Sequence, residues 1–541
     1  MQKQGREEKK LMSGVAILMP ASLFTKIIGL FYKIPLIAIV GVEGMAYFLA
    51  AYHIYSLLFV LSATGLPSAL SLCVARALAK GEKRAVRRIF SVSLWLFLTL
   101  GVCGTALLFF FAPALARRIS MADAAAAIAA IAPSLFLAAF TGATKGYFQG
   151  FGQMLPTALS EVCEALGKLI FGLLFALKAK KAGLPTPTVA AYAIFGITVG
   201  MLLSALLLCA FLTVHFFRAK GKKEKDAAEL PRRRALLCRL VALAFPITVS
   251  ASVMSLVSLA DTAVISARLQ SAGYAPAVAN AMYSSYGNLA VPLYNLVPAL
   301  LAPVTLSLMP LIAAAFSKRD LEGARKILRT AFSLVTLAAL PASLGLSIFA
   351  APILRFLYRG QSFAVSLAAP ALSLLAPAVL PAVLIGVAGA ALQASGRTGL
   401  PVAAMALGAG VKLSLEWILL PIDAVGLLAA PISTLCCNMT VLLVEGVALS
   451  RAMGGVTLLP KDLFRQLASA ALSVAGGASF YYFVLRNARA QIWSLPLSLA
   501  LCGVLFLFFA CRTGAIGKEE LLLLPAGEHV YATFQKIRLL K

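Results

Sequence analysis

Charge is scarce in this 541-residue chain, and acid is the scarcer sign: 13% of residues are charged, 20 Asp and Glu against 48 Lys and Arg. Soluble domains carry about a quarter charged residues. The 61% apolar share is spread from end to end, which excludes a soluble enzyme with one anchor. Histidine is rarer still, and His53, His215 and His529 are too scattered to ligate a metal. The nine cysteines lie in or beside apolar runs without a C-x-x-C pair, so they read as buried inert thiols rather than a disulfide or zinc framework. A G-x-x-x-x-G-K-[ST] loop and a nucleophile–base motif are both missing, so neither an enzyme nor an ATP-driven pump is expected, and no cofactor is called for. The formal net charge of +28 would suit nucleic acid, but no soluble basic domain exists to carry it, so that partner is excluded too.

Long apolar runs are what the chain has instead. A bilayer core takes about 20 apolar residues per helix. Fourteen runs qualify, near 12–40, 45–72, 89–112, 124–144, 155–177, 187–214, 239–267, 281–314, 328–351, 364–393, 400–420, 424–449, 466–485 and 490–511. Lipid cannot satisfy an open backbone, so each run is expected to be helical. The first is too long for a cleavable signal. Trp95, Trp417 and Trp493 fall near run ends, as an interfacial belt places them. With the N-terminus in the cytoplasm and every run crossing, 34 of the 48 basic residues fall on the cytoplasmic side. That asymmetry fixes both termini as cytoplasmic and lets anionic phospholipids bind the basic loops.

The chain also repeats itself. Leu70-Ser71-Leu72 recurs as Leu306-Ser307-Leu308, Arg87-Arg88-Ile89 as Arg325-Lys326-Ile327, and Ala112-Pro113 as Ala351-Pro352. Gly142, Gln149, Gly152 and Lys168 match Gly386, Gln393, Gly396 and Lys412. Six runs fill one period, so the two copies enter the membrane in the same sense. The expected architecture is an all-α polytopic membrane protein with two parallel six-helix repeats. Residues 1–214 form an N-lobe, 215–238 a basic linker, 239–450 a C-lobe, 451–511 two added helices and 512–541 a cytoplasmic tail.

Ionisable groups at membrane depth are costly and mark function. Lys26 and Lys33, seven residues apart, share one helix face about 10 Å apart along the axis. No acid lies between Glu8 and Glu43 to neutralise them. They suit a cavity that receives a phosphate-bearing anion, or else they pair with an acid on another helix, Asp261 or Glu161. His53 joins that cavity or merely packs. Asp261 either counters a lysine or binds a coupling cation. Glu164–Lys168 and Lys412–Glu416 have the i,i+4 spacing of charge pairs within one helix. Tyr283, Tyr286, Asn288, Tyr294 and Asn295 crowd a run interrupted by Pro292 and Pro298, lining a gate or bonding between helices.

The ordered blocks Lys26-Ile27-Ile28-Gly29, Phe31-Tyr32-Lys33-Ile34-Pro35-Leu36, Gly41-Val42-Glu43-Gly44, Tyr52-His53-Ile54-Tyr55 and Gly65-Leu66-Pro67-Ser68-Ala69-Leu70-Ser71 carry a resemblance. They resemble the stage V sporulation protein B and oligosaccharide-flippase branch of the MATE-like (MOP) exporters, departing from it at Leu72 and Arg76. The resemblance implies a bacterial inner-membrane flippase that moves an undecaprenyl-pyrophosphate-linked saccharide, lipid II or another envelope precursor, by alternating access. It implies a cationic cavity between the lobes, with Lys26 and Lys33 matching the family's basic residues, and the cell-wall synthesis machinery as a further partner. Coupling to H+, Na+ or the membrane potential is left open. The competing reading is a cation-coupled multidrug exporter of the same fold. A membrane scaffold ranks below both, since it has no use for lysines in mid-span.

Overall fold

The structure is a computed structural model that describes residues 2–63, 65–219, 232–317, 320–454, 462–485 and 491–515. Among these residues there are helices and no strands. The tail beyond 515 and residues 220–231 of the 215–238 linker lie outside the described residues. The described residues of each of the fourteen apolar runs are predominantly helical. Among the described residues, ten helical segments are long and apolar enough to cross a membrane, and the first of them, Phe24–Leu78, takes in run 45–72 and the later part of run 12–40. The protein is a multi-pass membrane protein.

Two compact units divide the chain: residues 1–270 with 275–284, and residues 271–274 with 285–541. The first holds α1 (Gln2–Ala63), α2 (Gly65–Ala79), α3 (Lys83–Arg118), α4 (Ala125–Ile131), α5 (Pro133–Gly150), α6 (Leu155–Lys181), α7 (Thr186–Ala219), α8 (Arg233–Ser271) and α9 (Pro276–Ser284). The second opens on a π-turn at Ser285–Ala290 and continues with α10 (Val291–Ser317), α11 (Leu321–Ile348), α12 (Ala350–Leu357), α13 (Ser362–Leu375), α14 (Val379–Ala394), α15 (Gly399–Leu419), α16 (Ala429–Ala452), α17 (Leu463–Ser479) and α18 (Gln491–Thr513).

The packing units divide later than the sequence repeat. Helix α8, which the repeat assigns to the C-lobe, packs with the first unit. Its Leu236, Leu240 and Ala244 enter the core formed by Leu70, Val74, Phe90, Tyr147 and Phe148. Gly65 lies so close to α8 that an added methyl would stand 2.6 Å from the Ala244 carbonyl oxygen. In the second unit the core gathers Leu328, Val335, Val387 and Leu392. Helices α17 and α18 join it beside α11, where Leu340 packs with Ala470, Phe506 and Ala510. There Gln466 Nε2 donates to Ser333 Oγ at 3.0 Å.

Runs 124–144 and 364–393, expected as single helices, are broken, and α1 bends between the first two runs; each of these has a local cause. Helix α1 turns at Gly41, whose φ of 82° favours glycine. Lys180 of α6 donates its ammonium to the Ala38 carbonyl beside that turn, at 3.1 Å. Pro133 separates α4 from α5, and Pro377 lies in the tight turn between α13 and α14. Proline lacks the N–H that would continue the ladder. At both breaks a hydroxyl from a neighbouring helix supplies a further hydrogen bond. Thr105 of α3 donates to the Ala132 carbonyl at 3.0 Å, and Ser343 of α11 donates to the Ala376 carbonyl at 2.8 Å. These braces stand at matching positions of the repeat, as do Pro133 and Pro377. Each of these carbonyls also accepts a backbone N–H, so the hydroxyl adds a bond between helices at the break.

Candidate functional site

The polar interior of the first unit is assembled where α6 and α7 meet with almost no side chain between them. A methyl added at Gly200 would lie 2.6 Å from the Glu164 carbonyl oxygen and 2.8 Å from the Lys168 nitrogen. One added at Gly172 would lie 2.5 Å from the Tyr32 hydroxyl. Small residues let membrane helices approach this closely. The contact holds the Glu164–Lys168 turn of α6 in place, and α1 packs against it.

Lys168 extends its ammonium over the Tyr32 ring, 5.5 Å from the centroid. Tyr32 is buried, and its hydroxyl donates to the Ala193 carbonyl at 3.3 Å, which fixes the ring under the cation. Next to Tyr32 in the chain stands Lys33, half-buried and close enough to Lys168 for the two charges to repel. Neither lysine has a carboxylate within 4.0 Å among the described residues.

The i,i+4 spacing of Glu164 and Lys168 does not yield the expected ion pair. The Glu164 carboxylate lies 3.9 Å from Lys145 Nζ of α5, while Lys168 turns to the Tyr32 ring. Lys168 still feels the Glu164 charge, at longer range. Tyr52 and Tyr55 also come within range of that charge. Lys145, assigned by run boundaries to a cytoplasmic loop, is thus inside α5 with its side chain only 17% exposed. Lys26, the other cation expected in the cavity, is exposed.

His53 lies in a separate polar triad. Its Nδ1 is 2.7 Å from Thr262 Oγ1 and 3.2 Å from the Tyr283 hydroxyl, and those two oxygens are 2.8 Å apart. Thr262 spends its single hydrogen on the Ser258 carbonyl at 2.9 Å. With its hydrogen there, the Thr262 oxygen can accept from the Tyr283 hydroxyl and, in the Nδ1–H tautomer, from His53. Asp261 is half-buried beside this triad in the chain.

The second unit has its own polar cluster. Lys412 Nζ lies 3.7 Å from Glu416 Oε1, both side chains nearly sealed from solvent, and Ser433 donates to the same carboxylate oxygen at 3.0 Å. Tyr286 Oη lies 3.2 Å from Thr434 Oγ1, and Asn438 Nδ2 donates to the Tyr294 hydroxyl at 2.8 Å. Asn288 is buried, and its carbonyl accepts from Tyr358 at 3.5 Å; Asn295 is exposed. The polar residues of the 281–314 run therefore serve two units, Tyr283 the first and Tyr286 and Asn288 the second. Sequence reasoning passed over Tyr32, Lys145, Thr262 and Glu445. Glu445 offered a signal, a carboxylate in mid-run with no base within four residues; it is buried against Gly389.

The polysaccharide biosynthesis protein family matches residues 11–316, more than half of the chain. The chain belongs to that family. The MatE family matches residues 246–418. Stage V sporulation protein B of Bacillus subtilis (strain 168) is 25% identical over 450 residues, 82% of this chain and 85% of its own length. Lipid II flippase MurJ of the same organism is 24% identical over 430 residues, covering 75% and 77%. A solved structure of lipid II flippase MurJ in an inward closed conformation superposes with a TM-score of 0.69 at 16% identity, over 92% of this chain and 98% of that one. The fold is that of the MOP superfamily.

Proposed function

We propose that this protein is a flippase for an undecaprenyl-pyrophosphate-linked saccharide, lipid II or a related envelope precursor, in a bacterial inner membrane. The observation that carries the reading is the pairing of Lys33 with Lys168. Two cations held within repulsion of each other, without an ion-paired carboxylate, are stabilised by an anion that bridges them. A pyrophosphate brings two or more negative charges and oxygens enough to accept from both ammonium groups. Lys26, exposed about 10 Å along the helix from Lys33, extends the basic track by which the headgroup approaches. Tyr32 supplies an aromatic face that holds Lys168 ready between substrate visits. The kinship with a lipid II flippase and a sporulation protein supports the substrate class.

The test is reconstitution in proteoliposomes with fluorescent lipid II. Lys33→Ala with Lys168→Ala is expected to lower flipping at least tenfold, and Lys33→Arg with Lys168→Arg to retain much of it. Unchanged flipping in the double alanine protein would overturn the phosphate role.

A second reading, a cation-coupled exporter of drugs, is favoured by the MatE match, which includes Asp261. Under it the wild-type protein would extrude ethidium from loaded vesicles and Asp261→Asn would stop doing so.

A further inference from the structure

Between α12 and α13 the second unit opens a cavity of about 740 Å³ whose walls include Arg355, Tyr358, Arg359, Ser362, Val365 and Ala369. Its composition is two-sided. Val365 and Ala369 form an apolar wall, whereas Arg355 and Arg359 stand exposed at the rim. Among the described residues, no carboxylate lines the cavity. Neither arginine has an ion-paired acid among the described residues. The Arg359 guanidinium lies over the Phe356 ring, 5.3 Å from its centroid. The first turn of α13 starts here at Ser362, and its preceding residue, Gln361, makes no side-chain cap. That leaves the first N–H groups of α13, at the positive end of the helix, without a side-chain cap from Gln361.

The depth of the cavity is set by α11. Its 28 residues extend about 42 Å, against roughly 30 Å of hydrocarbon core. Helix α12, which carries Arg355, begins two residues after α11 ends, so a span of this length would bring the arginines to headgroup level and the apolar wall to the start of the acyl region. A guanidinium pair above an apolar wall is the chemistry that recognises a phosphate ester on a lipid.

We propose that this cavity is a binding site for an anionic glycerophospholipid, with its phosphate between Arg355 and Arg359 and the upper part of its acyl chains against Val365 and Ala369. The site is separate from the Lys33–Lys168 pair and does not depend on which saccharide the protein moves. Such a lipid would anchor the α12–α13 connection to one face of the bilayer.

Native mass spectrometry of the full chain in detergent tests this, with phosphatidylglycerol and phosphatidylcholine of identical acyl chains as probes. Wild-type protein is expected to retain phosphatidylglycerol in clear preference. Arg355→Ala with Arg359→Ala is expected to weaken that retention by roughly tenfold or more, the scale set by two basic side chains beside a headgroup. Arg355→Lys with Arg359→Lys should keep part of it. Both pairs are exposed, so the thermal midpoint should not move. Removing equal charge elsewhere, with Arg117→Ala and Arg118→Ala on α3, should leave retention as in the wild type. An equal loss in that control, or equal retention of the two phospholipids, would overturn the proposal. Displacement of phosphatidylglycerol by soluble glycerol phosphate would show a free-phosphate site instead. Displacement by undecaprenyl phosphate at a lower concentration would assign the cavity to the carrier lipid and likewise overturn it.

Discussion

Lys145 of α5 stands 3.9 Å from Glu164 of α6, so the acid nearest Lys168 in sequence is engaged by another helix. Glu164 thereby tempers the positive field at Lys33 and Lys168 without neutralising either one. Glu164→Gln should make that field more positive and tighten binding of undecaprenyl pyrophosphate by roughly fivefold, about 1 kcal/mol for a partly screened charge. Tryptophan fluorescence or isothermal titration in micelles reads the change. Unaltered affinity would remove Glu164 from the electrostatics of the pair.

The α6–α7 contact sets the position of Tyr32. A methyl at Gly172 would stand 2.5 Å from the Tyr32 hydroxyl and 3.1 Å from the Ala193 carbonyl oxygen that it bonds. Gly172→Ala is expected to cost about 1–3 kcal/mol of stability, as overpacking does. It should also lower flipping, because the ring under Lys168 must shift. Thermal unfolding in detergent and the proteoliposome assay check the two effects separately.

Lys412 and Glu416 form a buried pair, and the damage depends on which half is removed. Glu416→Ala leaves a lysine buried without its partner oxygen and should cost roughly 3–5 kcal/mol. Lys412→Met with Glu416→Leu removes both charges and should cost far less than either single loss. Equilibrium unfolding of the three proteins gives the comparison.

The hydroxyl braces predict small, matched effects. Thr105→Val and Ser343→Ala should each destabilise by about 0.6–1 kcal/mol, the range of hydrogen bonds between membrane helices. Combined, they should add within about 0.5 kcal/mol, as independent sites do. A much larger combined loss would mean that the two breaks unfold as one.

Helix content and the doubled pattern were legible from the sequence because apolar length and polar coincidences are properties of the chain itself. Spacing also placed Lys412 beside Glu416. It failed for Glu164 and Lys168, since i,i+4 neighbours compete with partners that only tertiary packing supplies. Lys145 was misjudged for a related reason: an apolar run is read as ending where its first charge appears, although α5 continues for five residues beyond it. The break between α13 and α14 was hidden because an alanine–proline step does not interrupt hydropathy, whereas the bend of α1 at Gly41 falls in the gap between the first two runs. His53 lies 209 residues from Thr262 and 230 from Tyr283, separations that no local pattern can bridge.

The paired braces also carry a history. A proline break, an alanine carbonyl before it and a hydroxyl from a neighbouring span occur in each half at matching positions, with threonine serving in one and serine in the other. The economical account is descent from a single ancestral half that already possessed the bent span and its brace. Gene doubling then copied a working joint, and later divergence changed the residue that supplies the hydroxyl but kept the bond. By that account the joint is older than the two-unit protein that now contains it.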